Sequence, residues 1–121
     1  DIEAVLNSLI VSLGKSYSLK MIVVDSANVI ASNFNSFKNE MLITDELTPY
    51  INKCETTLLN KNVGLKICDG VTYEANVLIK PITVYGDLYG ALLIFFEYEL
   101  PKDKMEAINL AYNFIVDYIE A

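Results

Sequence analysis

The sequence has no histidine, and all of its basic residues are lysines, without a single arginine. The first absence removes the usual general base near neutral pH and the commonest zinc ligand. The lysines number nine against 16 acidic residues, giving a formal net charge of −7. Nucleic-acid phosphates are neutralised by clustered basic residues, and no such cluster exists here. The domain by itself should be repelled by DNA. Long apolar runs are also missing. A membrane-spanning helix needs roughly 18 apolar residues, whereas the longest run, Leu88 to Phe96, is interrupted by Gly90 and rich in strand formers. No membrane partner is expected, and the amphipathic opening does not read as a signal peptide.

Cysteine is scarce too. Cys54 and Cys68 lack CxxC spacing, so they read first as buried reduced thiols of a cytoplasmic protein and only second as a redox pair. A nucleophilic cysteine needs a neighbouring base or cation, and only lysine could serve. Glu97 and Glu99 share a strand face but sit near Pro101 as solvated residues, and Asp25 is an ordinary turn residue. No catalytic residue, metal ligand or cofactor is expected.

What remains is apolar. The chain has 121 residues, the size of one domain able to bury a core unaided, and 53% of them are hydrophobic. So large a fraction implies a sheet covered on both faces or a surface awaiting a second chain. Ile2, Val5, Leu6, Leu9, Ile10 and Leu13 repeat at helical spacing over 2–14, with Gly14 as the stop. Residues 19–24 read as an inner strand, and Val29–Ala31 returns after a turn at Asp25–Asn28. Residues 32–44 read as loop. A helix is expected over 45–59, with Leu47, Ile51, Cys54 and Leu58 on one stripe and Pro49 near its start. Val63–Ile67 reads as an edge strand and Thr72–Tyr85 as a long one. A type II′ turn at Gly86–Asp87 leads into a central strand over Leu88–Tyr98. The last helix, 102–120, has two apolar seams. Met105, Ile108, Tyr112, Ile115 and Ile119 follow coiled-coil spacing, while Ala107, Ala111, Phe114 and Tyr118 form the other. One seam should face the sheet; the other should face the first helix or a second subunit. The order predicts an α+β antiparallel sheet of the PAS/GAF/profilin type, with helices on both faces and the two terminal helices sharing one. Because the chain opens on Asp1 inside a helical pattern, a fragment of a longer protein is expected.

The stretch Pro81-Ile82-Thr83-Val84-Tyr85-Gly86-Asp87-Leu88-Tyr89-Gly90-Ala91-Leu92-Leu93-Ile94-Phe95 resembles the hairpin that closes GAF domains. With Val5-Leu6 to Leu13-Gly14, Ile22 to Asp25, Thr57-Leu58 and the Met105–Ile119 helix, nearly the whole chain resembles the C-terminal GAF domain of AbrB-family sporulation regulators. A weaker likeness, through the same hairpin, is to GAF-containing nutrient-sensing repressors. The resemblance implies a cytoplasmic bacterial transcription regulator whose DNA contact is made by an upstream domain. It also implies a homodimer through the terminal helices, with Leu6, Leu9, Leu13, Met105, Ile108, Tyr112, Ile115 and Ile119 at the interface. The NKFDE motif associated with cyclic-nucleotide GAF domains has no counterpart here. A different small-molecule effector could occupy the cavity where GAF ligands sit, between the sheet and the layer opposite the terminal helices. Phe34, Phe37, Cys54, Tyr73 and Asn76 are the candidate lining residues. Two alternatives stand beside ligand sensing: a ligand-free dimerisation or protein-docking domain, and a thiol-dependent methionine sulfoxide reductase, since some GAF domains are such enzymes.

Overall fold

A computed structural model describes all 121 residues. Helix α1 spans Ile2–Tyr17 and is capped by Asp1, whose carboxylate accepts the Glu3 N–H at 3.1 Å. It runs through Gly14 and ends at Ser18 in a left-handed conformation, φ 55°. Gly14 is therefore not the stop. Its missing side chain makes room for Asn33, whose Nδ2 would lie 2.7 Å from a Cβ placed there. Asn33 uses that room fully. Its Nδ2 donates to the carbonyls of Ile10 and Leu19, and its Oδ1 accepts the Met21 N–H, at 2.8 to 2.9 Å. Asn7 makes a second clip, donating to the Ile30 carbonyl and accepting the Ser32 N–H.

Strands β1 (Lys20–Val24) and β2 (Val29–Ser32) follow as a hairpin. Its turn is held by the Asp25 carboxylate, which accepts the N–H groups of Ala27 and Asn28 at 2.8 Å. The helix expected over 45–59 is reduced to α2, Thr48–Asn52. Cys54 has φ 56°, which breaks it. Thr57–Leu59 then becomes β3, an edge strand beginning with a β-branched residue. The edge strand expected at Val63–Ile67 is displaced by β3. Lys61–Val63 is instead a 3₁₀ turn, with irregular chain after it.

Strands β4 (Asn76–Val84) and β5 (Asp87–Phe96) complete a sheet of order β2-β1-β5-β4-β3, antiparallel throughout. β4 starts four residues later than the sequence suggested. The three-residue β3 ends opposite Val77, so it has nothing to pair with 72–75. The hairpin turn is Tyr85–Gly86, closed by the Val84–Asp87 pair. Both central residues have positive φ, 53° and 83°, which is the type I′ pattern and not type II′. At Gly90 an added Cβ would sit 1.9 Å from the Val24 carbonyl oxygen and 2.8 Å from Asp25 Cα. Only glycine lets β5 pass β1 at this point.

The final helix, α3, spans Lys102–Glu120 and packs beside α1 on one sheet face. Residues alternating out of the strands make two cores. Met21, Val23, Leu78, Ile82, Leu92 and Ile94 meet the helices. Ile22, Val24, Ile79 and Leu93 meet Phe37, Leu47, Ile51 and Ile67 on the other face. β1 and β5 are apolar on both sides because both sides are covered. No helix is long and apolar enough to cross a membrane.

The seam Met105-Ile108-Tyr112-Ile115-Ile119 faces inward. Ile108 and Ile115 are completely covered within the single chain, as is Leu6 on α1. Leu9, Leu13, Met105, Tyr112 and Ile119 pack half-buried against the same core. Of the eight residues expected at a subunit interface, Leu6, Ile108 and Ile115 are thus used up by the core of the single chain, and the other five pack against it with part of their surface left open. Tyr112 is fixed there: its hydroxyl donates to the Pro81 carbonyl at 2.7 Å, and the Lys80 ammonium lies 4.8 Å from its ring centroid. The outward apolar residues are Leu110, 70% exposed, and Phe114, 49% exposed, on α3, with Val11 and Tyr17 on α1. Phe114 stacks parallel on Tyr118.

Candidate functional site

Opposite the terminal helices, β4 and β5 turn Val77 and Phe95 toward the layer formed by the loops. Phe34 and Phe37 reach this face from the chain after β2, and Tyr73 from the segment before β4. With Phe95 they form a cluster in which every ring touches the other three, at centroid separations of 5.2 to 5.9 Å. Phe37 stacks on Phe95, and Tyr73 stands edge-on to it at 89°. Aromatic rings favour such tilted and offset arrangements because of their quadrupoles.

Beside this cluster is a cavity of about 120 Å³. Its apolar wall includes Leu59, Leu65, Ile67 and Val77, and Lys61, Lys66 and Glu74 bring charge to it. Ligand pockets run from ~300 Å³ upward, so this one admits only a small molecule as it stands. Its walls are unusual in their backbone. Leu65, Lys66 and Thr72–Ala75 make no backbone–backbone hydrogen bond, although they flank the cavity on two sides. Apart from the Lys66 carbonyl, which Thr44 occupies, their N–H and C=O groups are left without a partner in the chain. Thr44 anchors one wall, its hydroxyl donating to the Lys66 carbonyl and accepting the Leu47 N–H.

Of the five candidate residues, Phe37 and Tyr73 line this cavity, and Phe34 supports it through the ring cluster. Asn76 does not open onto it. It is buried with its amide already used, accepting the Lys61 N–H and donating to the Glu97 carbonyl, both at 2.9 Å. That arrangement fixes the rim of the cavity. Cys54 lies elsewhere, exposed beyond the end of α2, because the helix that would have turned it inward stops at Asn52. Phe95, Leu65, Lys61 and Lys66 were missed. Phe95 was legible in principle, since it shares a strand face with Ala91 and Leu93. Leu65 and Lys66 lie where a regular strand was expected, and Lys61 lies in the connection just before it.

The thiols differ sharply. Cys68 is fully buried, and burial, helped by the neighbouring Asp69 carboxylate, pushes its pKa up to about 11. Such a thiol stays protonated at neutral pH and is a poor nucleophile. Burial lowers the Lys80 pKa and raises that of Tyr89, the latter helped by Asp25 and Glu3.

No protein-family model matches the chain, and no curated protein sequence matches it. Solved structures do. The cofactor-binding GAF domain of the nutrient sensor CodY from Clostridium difficile is 18% identical, with TM-score 0.68 over 93% of this chain and 83% of that one. The phycocyanobilin-bound GAF domain of a cyanobacterial phytochrome is 12% identical, with TM-score 0.63 over 99% and 85%. Free methionine-R-sulfoxide reductase from Neisseria meningitidis, in complex with its substrate, is 12% identical, with TM-score 0.70 over 99% and 78%. Sensors and reductases share this architecture, and with its five-stranded antiparallel sheet and three helices the chain has the GAF fold.

Proposed function

We propose that this chain is the sensory domain of a bacterial transcription regulator, of the AbrB-family sporulation type represented by stage V sporulation protein T, and that it binds a small effector in the cavity beside Phe37, Tyr73 and Phe95. The carrying observation is that cavity: an aromatic-floored space flanked by backbone that makes no backbone–backbone hydrogen bond at Leu65, Lys66 and Thr72–Ala75. The CodY domain of the same fold is described as cofactor-binding, which supports the reading. In this reading the regulator is cytoplasmic, and its DNA contact belongs to another domain. The test is a thermal-shift screen of small metabolites, since a ligand bound only by the folded state stabilises it by RT ln(1 + [L]/Kd). A saturable shift abolished by Phe37→Ala supports sensing; a full panel without any shift refutes it.

A second reading has its own observation. Leu110, Phe114 and Tyr118 form an outward apolar stripe on α3, with Val11 exposed on α1. This is the surface we propose for a homodimer, whether or not a ligand binds. The reductase reading is disfavoured because Cys68 is buried and held protonated, while Cys54 stands exposed away from the cavity.

A further inference from the structure

Tyr73 borders two spaces. On one side is the 120 Å³ cavity; on the other is an open groove of about 230 Å³ reached by Lys20, Glu97, Glu99 and Lys104. Phe95 also borders both, so the aromatic floor is continuous beneath Tyr73. The two spaces share only Tyr73 and Phe95 among their lining residues, and the Tyr73 ring stands edge-on to Phe95 with centroids 5.6 Å apart. Its backbone is held by no backbone–backbone hydrogen bond from Thr72 to Ala75. Swinging it aside therefore breaks no strand pairing. Together the two spaces reach the ~300 Å³ at which ligand pockets begin.

We propose that Tyr73 is a movable partition, and that displacing it creates one elongated site for an apolar monoanion, its charged end held at Lys61 and Lys66. The inference rests on the sensing reading above and names the class of effector. Charge sets the direction. The cavity lining includes two ammonium groups, Lys61 and Lys66, against the single carboxylate of Glu74. In the groove, Lys20 and Lys104 are balanced by Glu97 and Glu99. In a chain of net charge −7, the cavity end is thus a local cationic spot. The N–H groups of Leu65 and Lys66, which also line the cavity, make no backbone–backbone hydrogen bond. The Lys20 ammonium, 6.0 Å from the Tyr73 and Phe34 ring centroids, braces the closed position from the groove side.

The chain has no tryptophan, so Tyr73→Trp installs a single reporter at the partition. Octanoate should change its emission saturably, whereas butyrate, short enough for the closed cavity, should not. With Tyr73 retained, calorimetry should show that Lys61→Gln combined with Lys66→Gln raises the octanoate Kd at least tenfold over wild type and leaves octanol unaffected. Tyr73→Ala should bind octanoate more tightly than wild type, because no closed population competes. If Tyr73→Trp does not fold, amide exchange of residues 71–75 in the wild-type chain reads the same displacement, and octanoate must alter it. Octanoate binding that leaves the reporter and these amides unchanged overturns the partition. Octanol binding as tightly as octanoate, or no octanoate binding at millimolar concentration, overturns the anion. A metabolite of another class that shifts the melting temperature would uphold sensing while refuting this inference.

Discussion

Gly90 carries the hardest constraint of any single position. Its Cβ would overlap the backbone of β1, not a side chain that could turn away. Gly90→Ala should destabilise the fold by on the order of 3 kcal/mol, because two paired strands must separate to admit one methyl group. Urea denaturation would register it as a lowered midpoint at unchanged slope. In the sequence Gly90 stands out only as a break in an apolar run; the backbone it makes room for is about 65 residues away in the chain. Asn7 and Asn33 were illegible altogether: an asparagine on a helix and one after a strand look like solvated residues until their partners are known. Cys68 gives a pH prediction. Its folded pKa, about 11, lies above the ordinary value of 9.0, so the folded state favours the neutral thiol. The resulting stability is complete below pH 9 and lost as pH rises through about 11. Melting temperatures recorded across that window should fall more steeply for wild type than for Cys68→Ala. At pH 8, Cys54 should react with a thiol reagent quickly and Cys68 only on unfolding.

At the scale of elements, α3 shows what periodicity can and cannot decide. Two apolar seams were plain in the sequence, but nothing in 3-4 spacing says which one meets the sheet. Tyr112 decides it, since its hydroxyl finds a backbone carbonyl only on the inward side. Ile115→Glu should therefore unfold the chain, costing roughly 3–5 kcal/mol for an unpaired buried charge. Phe114→Glu, on the outward stripe, should leave the melting temperature nearly unchanged and abolish the homodimer proposed through that stripe. Sedimentation and circular dichroism on both variants check this, and a Phe114→Glu chain with the wild-type association constant would remove that stripe from the interface. Boundaries failed where local cues compete. Around Leu47 and Ile51 the helical stripe is genuine, but its extension through Cys54 and Leu58 was chance spacing. Unpaired segments such as 72–75 carry strand-like composition without a strand to pair with. They wall the candidate site, which explains why the fold was more legible than the site.

For the whole molecule, charge makes the simplest claim. With net charge −7, the isolated chain should give no mobility shift with duplex DNA at ~150 mM salt, where screening acts over about 8 Å. A shift would mean that the field of the whole is outweighed by a local patch. Chain order in the sheet has a different consequence, one of timing. The inner neighbour of β1 is β5, with Ile22 opposite Leu93, about 70 residues further along the chain. A ribosome adding ~5–20 residues per second needs roughly 4–14 s to reach it. During that interval β1, apolar on both faces, has β2 as its only strand partner. Its inner edge is open to any other strand, including that of a neighbouring nascent chain. The centre of the sheet, the most protected part of the finished domain, is thus the part most exposed to mispairing while the domain is being made.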